Sequence, residues 1–290
     1  MIYGFLDKNI KASNMRGFLS KTPAKFIPLN EANGVPEDAS AIAVHGVLRG
    51  NGSLIREAQE REIHWIYMDN AGHYFPEMYK RISINATAPR TFRTGKRFEH
   101  NTKYYDWRGG LGRNIVVLPP SPPYMDTFGT RDFLNYLTHT LNIYTDKNII
   151  VRGKPAKGKK ARPWEEQLAE AYCVVTWGSA LALDAVNRGV PTISLGHCPA
   201  KLCSFNLEDL ETDKLRVEPP RAETMDNQTW CSFKREELPQ AFETVVENSN
   251  FPCFERSSRT SSLFAPATST IIKSIRSSTP VTSLNVSIGK

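Results

Sequence analysis

Three residues, Trp177, Gly178 and Ser179, stand between a β-branched run and a segment of helical period in the stretch 173–196, CVVTWGSALALDAVNRGVPTISLG. A small-residue turn that opens a helix leaves backbone N–H groups and a hydroxyl ready for an anion, and bulk there would block phosphate oxygens. Ala180 and Asp184 fall on the segment that follows, and Gly189 and Pro191 end it. Arg152 and Lys154 leave the run before, and His197 leaves the run after, so cations from three successive strand exits would converge on the turn. That is the chemistry of a diphosphate site. The same residues also suit a plain strand–helix–strand unit, in which Gly178 only turns and Gly189 only caps.

A second cluster lies nearer the N-terminus. The run 63–68 (IHWIYM) ends in Asp69-Asn70-Ala71-Gly72-His73-Tyr74-Phe75, and His45 follows the apolar run 41–44 ahead of Gly46, Gly50 and Gly52. Polar residues at strand exits are where an open α/β sheet places its ligand contacts. Asp before Asn-Ala-Gly equally serves as a local turn former. Arg49 and Arg81 fit either phosphate holders or solvated surface arginines. His197-Cys198 with Cys203 lacks the paired close spacing of a zinc site, so no metal is expected.

These clusters need elements to hold them. Runs 1–6, 41–44, 63–68, 115–118, 148–151, 173–176 and 192–195 read as strands, and 54–61 (capped by Ser53), 130–141, 163–171, 180–188 and 234–246 as helices. Alternation of the two kinds predicts an α/β chain with parallel sheets. The 290 residues suffice for two domains. The firm stop at Pro119-Pro120-Ser121-Pro122-Pro123 puts the boundary near 118/119, giving 1–118, 119–255 and a Ser/Thr-rich tail at 256–290, where 15 of 35 residues are Ser or Thr. That tail composition predicts disorder. No apolar run is long enough to span a bilayer, the N-terminus lacks signal-peptide order, and five cysteines without framework spacing predict reduced thiols in a cytoplasm.

The pattern V-T-x-G-S-x-x-x-x-x-A-x-x-x-G-x-P over 175–191 resembles the donor-binding half of GT-B glycosyltransferases, capsule-type and phage-encoded sugar transferases among them. The pieces Gly46-Val47-Leu48-Arg49-Gly50, Tyr67 to Phe75, and Tyr79-Lys80-Arg81-Ile82 are similar to the acceptor half of the same group. The likeness covers roughly residues 40–200 and finds no counterpart after about 230. It implies two Rossmann-like domains, an N-terminal one for the acceptor and a C-terminal one for a nucleotide sugar (UDP- or GDP-linked) as co-substrate, with no bound cofactor or metal. Asp69 is then the candidate general base, with His73 and His45 as alternatives. Arg152, Lys154, Gly178, Ser179, Ala180, Asp184 and His197 become the donor site. If phage-encoded, the protein works in a host cytoplasm.

Charge bears on the acceptor. The formal +7 includes +5 from residues 256–290, so the remainder has 32 basic against 30 acidic residues. Two local concentrations stand out: 154–162, with Lys154, Lys157, Lys159, Lys160 and Arg162, and 90–113, where Arg90, Arg93, Lys96, Arg97, Lys103, Arg108 and Arg113 interleave with aromatics. Interleaving of this kind suits single-stranded or flipped-base DNA, and with the phage likeness it points to a hydroxymethylated pyrimidine as acceptor. A loop packing its aromatics onto the body gives the same pattern. Two other readings stay open: transfer to a cell-surface saccharide, and a non-catalytic nucleic-acid-binding module.

Overall fold

The computed structural model describes residues 1–248 apart from 8–9, 72–74, 76–78, 90–92, 129–131 and 154–161. The tail 256–290 therefore lies outside the described residues, as do His73, Lys154 and most of the basic run that Lys154 begins.

Two sheets organise the chain. The first takes β1 (Ile2–Leu6), β2 (Ala24–Pro28), β3 (Ala41–His45), β4 (His64–Asn70) and β5 (Lys80–Ile84), with helices α1 (Ile10–Phe18) and α2 (Asn51–Glu60) between them. β2, β1, β3 and β4 run parallel in that spatial order, and β5 joins antiparallel to β4. β1 and β3 are buried along their whole length, as the unbroken apolar runs require of strands covered on both faces.

The second sheet is entirely parallel, in the order β7-β6-β8-β9: β6 (Asn114–Leu118), β7 (Asn148–Val151), β8 (Ala171–Thr176) and β9 (Thr192–Ser194). Its helices are α3 (Pro122–Phe128), α4 (Phe133–Tyr144), α5 (Trp164–Ala169) and α6 (Leu181–Asn187). β6, which a boundary at 118/119 gives to the N-terminal half, is a central strand of this second sheet. The chain then returns: α7 (Arg221–Trp230) leads into β10 (Ser232–Phe233), which pairs antiparallel with β5, and α8 (Leu238–Asn248) packs on α1. Leu238, Ala241 and Val245 complete the core formed by Met15, Phe18, Ile66 and Ile82. Each such apolar side chain contributes roughly 1.5–3 kcal/mol when fully buried.

Two devices join the sheets. Ala71, Phe75 and Tyr79, behind β4, share a cluster with Ala182, Leu183 and Val186 of α6 and with Cys198 and Met225. α3 follows β6 yet lies against α2, with Phe128 stacked near Trp65 at 6.0 Å. The proline run read as a stop therefore starts a helix, because proline is tolerated in a first turn whose N–H groups have no partner.

Candidate active site

Parallel strands bring their carboxyl ends to one edge. In the first sheet that edge carries Asp7 behind β1, His45 at the end of β3, and Asp69 near the end of β4. β5 runs the other way, so its first residues, Lys80 and Arg81, sit there too, opposite Asn70 and Asp69.

Asp69 is half-buried and held at both oxygens: Tyr67 donates its hydroxyl to Oδ2 at 3.0 Å, and the Asn70 amide donates to Oδ1 at 2.8 Å. The second contact is the turn-forming role open to any such Asp, and it leaves the carboxylate in place for proton transfer. Burial and the neighbouring Asp69 charge push the Tyr67 phenol well up, so it stays a donor.

His45 is 4% exposed, and neither ring nitrogen has a hydrogen-bond partner among the described residues. Its carbonyl accepts from Asn51 Nδ2 at 2.9 Å, which ties the strand end to α2. Burial pulls the imidazole down to about 4, against the opposing effect of Asp69. It is therefore neutral near pH 7. The unfolded chain, titrating near 6.5, holds the extra proton between those two values. Stability is thus full above about pH 6.5 and falls as pH drops toward 4, by an upper limit of about 3 kcal/mol. In urea melts across that range, His45→Asn should flatten the dependence. An unchanged slope would assign it to other groups.

At the second sheet's carboxyl edge, Thr176 shapes the turn. Its buried hydroxyl donates to the Leu118 carbonyl at 2.8 Å and accepts from the Ser179 amide at 3.1 Å. Ser179 Oγ in turn accepts from the Leu181 amide at 3.3 Å. The N–H groups of Ser179 and Leu181 are thus engaged internally, and among the described residues those of Gly178 and Ala180 have no partner. Gly178 has a further reason to be glycine: a Cβ there would lie 2.8 Å from the Tyr124 hydroxyl and 3.0 Å from the His197 carbonyl. Close packing of α3 demands the small residue.

His197 does neighbour the turn, since β9 is adjacent to β8; its ring packs on Phe128 at 6.1 Å. Arg152 does not. β6 lies between β7 and β8, and the Arg152 guanidinium donates to the Arg162 carbonyl and to Gln167 Oε1 while lying over Trp164. The expected convergence of three neighbouring strand exits fails because β6, earlier in sequence, inserts between them. Asp184 is also engaged elsewhere. It accepts from Trp164 Nε1 at 2.6 Å and pairs with Arg188 at 3.0 Å, fixing α6 to α5. Arg49 pairs with Asp7 at 2.6 Å.

Tyr124, at the first turn of α3, is the residue that composition and spacing do not reveal. Its hydroxyl is 2.9 Å from Thr87 Oγ1 and donates to the His197 carbonyl at 3.1 Å. It also lies close enough to Tyr67 to disfavour that phenol's ionisation. One side chain thus joins the exit of β9 to the segment that follows β5.

The basic, aromatic segment 93–113 is a strap bound to the body. Arg97 pairs with Glu237 and donates to the carbonyls of Thr229 and Ser232. Arg93 lies over Trp230, Lys96 pairs with Glu99, and Arg108 donates to the carbonyls of Leu168 and Ala169. Phe98 packs on Phe75 and Tyr79, and Trp107 donates to Leu215. These cations and rings pack against the fold, so their interleaving is accounted for without a DNA groove. Arg162 likewise pairs with Glu166 and Glu170. Two clefts, of about 320 and 600 Å³, lie behind the carboxyl ends of β2 and β3, beside Gly50 and Glu57, and at the amino ends of β6 and β7, beside Lys147 and Glu211. Among the described residues no helix is long and apolar enough to cross a membrane.

No family model and no curated protein matches the chain. Solved structures that resemble it include two from Thermosulfurimonas dismutans. KpsC, beta Kdo 2,4 transferase, is 12% identical with a TM-score of 0.39, covering 81% of this chain and 92% of that one. KpsC, beta Kdo 2,7 transferase, is 11% identical with a TM-score of 0.44, covering 84% and 98%. Both scores are too low to establish a shared fold, so the likeness fixes neither a family nor an activity.

Proposed function

We propose that the protein is a glycosyltransferase moving a sugar from a UDP- or GDP-sugar to a hydroxyl of a saccharide. The observation that carries this reading is the bridging position of Tyr124. Its hydroxyl lies beside Gly178, donates to the His197 carbonyl, and is near enough to the Tyr67 phenol, which holds Asp69, to raise its pKa. A donor diphosphate on the free amides of Gly178 and Ala180 then has a carboxylate across the junction to receive the acceptor proton. In the reaction Asp69 accepts the hydroxyl proton as the acceptor oxygen bonds to the anomeric carbon. The bond from that carbon to the diphosphate oxygen breaks, and the turn stabilises the charge that leaves. The first sheet serves the acceptor and the second the donor. A saccharide is preferred to DNA because Arg93, Arg97 and Arg108 already have partners within the fold.

A thermal-shift panel of UDP- and GDP-sugars, paired with a donor-hydrolysis assay, tests the reading. At least one donor should raise the melting temperature, and Ser179→Trp should abolish that response by filling the turn. Indifference to every donor would sink the transferase assignment. Salt-sensitive binding of hydroxymethylated DNA would overturn the saccharide preference.

A further inference from the structure

Arg81 stands on β5 opposite Asp69 on β4 and Ser232 on β10. Directly paired antiparallel residues put their side chains on one face, so the three form a row across the sheet. Arg81 is only 8% exposed. Among the described residues its guanidinium makes no hydrogen bond or ion pair, and Nε is sealed from water without a partner. Ser232, 1% exposed, has a hydroxyl that among the described residues meets only the weak acceptor of the adjacent Cys231 thiol, which donates its own bond to the Gln228 carbonyl at 3.3 Å. Asp69, directly opposite, forms no ion pair with the arginine; its oxygens accept from the Tyr67 hydroxyl and the Asn70 amide.

Other arginines of the fold are treated differently. Arg49 has Asp7, Arg97 has Glu237, and Arg221 has Glu218. A buried, unpaired guanidinium is costly, and a fold retains one where something outside the chain supplies the countercharge. Its charge is felt by Tyr67 on the first sheet and by Cys198, in the exit loop of the second, which places it at the junction of the two edges.

We infer that Arg81, with the Ser232 hydroxyl beside it, is an oxyanion seat that receives a phosphate or carboxylate of the ligand, separate from the Gly178 turn. The seat deepens the transferase reading and rests on it for the identity of the ligand, but its test requires no turnover. The full chain is melted at constant ionic strength with inorganic pyrophosphate and, separately, with glucuronate, as wild type, Arg81→Met and Arg81→Lys. At least one anion should stabilise the wild type. Arg81→Met should bind it about 10- to 100-fold more weakly, the range for a lost charge-assisted bond, and Arg81→Lys should retain part of the response. Without anion, Arg81→Met should melt at or above the wild type, because an apolar side chain replaces an unpaired charge.

Loss of the pyrophosphate response identifies a phosphate as the guest, and loss of the glucuronate response a carboxylate. An anion response that survives in Arg81→Met, or a wild type indifferent to both anions, overturns the seat. A donor panel that fails beside an intact, Arg81-dependent anion response sinks the transferase reading alone.

Discussion

Asp69→Asn should lower turnover about 10²- to 10⁴-fold, the range for removing a positioned general base, and leave donor affinity within roughly twofold. The substitution suits the test because the amide oxygen still accepts from the Tyr67 hydroxyl or the Asn70 amide, so the strand end keeps its shape. What disappears is the capacity to take a proton. In the proposed reaction donor affinity belongs to the Gly178–Ala180 turn on the other sheet, and a true base should separate the two quantities. Tyr67→Phe supplies the companion measurement. It keeps the carboxylate and removes the hydroxyl that orients it, so its effect on turnover should be smaller. If Asp69→Asn weakens donor binding and turnover equally, or leaves turnover unchanged, Asp69 is a turn former and the base lies elsewhere on the edge.

The largest effect on stability should come from Gly189→Ala. Gly189 has φ +80° and closes α6, with its amide donating to Val186 and its carbonyl accepting from Arg108. A methyl there would overlap the Asp106 carbonyl, which is backbone and cannot swing aside. Overpacking costs about 1–3 kcal/mol and the left-handed conformation about 1 kcal/mol more. For a protein of this size the total lowers the melting temperature by roughly 5–15 °C. Gly46→Ala separates the two contributions. Gly46 has φ +71° but nothing within 4 Å of the added carbon, so only the backbone cost of about 1 kcal/mol applies. Equal losses in the two variants would mean that the strap carrying Asp106 yields without cost.

Much of the architecture was legible because buried parallel strands are written as unbroken apolar runs. Residues 41–44, 115–118, 148–151 and 173–176 all lie in strands of the structure, and the 180–188 helix appears as Leu181–Asn187. Elements that lean on partners far along the chain were not legible. β5 is a mixed segment, and β10 is two residues long and exists as a strand only by pairing with β5. α7, with buried Asn227, Gln228 and Thr229, shows no apolar stripe. α3 was hidden behind its own prolines. The candidate site divides in the same way. Asp69, His45, Gly178, Ser179 and His197 sit at strand exits, which adjacency in sequence discloses. Tyr124 depends on α3 leaving β6 to pack on α2, and the setting of Arg81 on β10 joining β5; in the second sheet the order is set by β6 inserting between β7 and β8. The same order explains why Arg152 stands apart from the turn, and no feature of the 152–154 segment announces it.

The return of β10 and α8 to the first sheet has a consequence for synthesis. The N-terminal half leaves the ribosome with the part of α1 that α8 will cover still open and the outer edge of β5 unpaired, and both wait for residues 232–245. At roughly 5–20 residues per second that interval lasts on the order of ten seconds or more. During it, Met15 and Phe18 are open to chaperones and to other nascent chains. A transcript cut between the two sheets would yield two sticky pieces, and neither would be a working half.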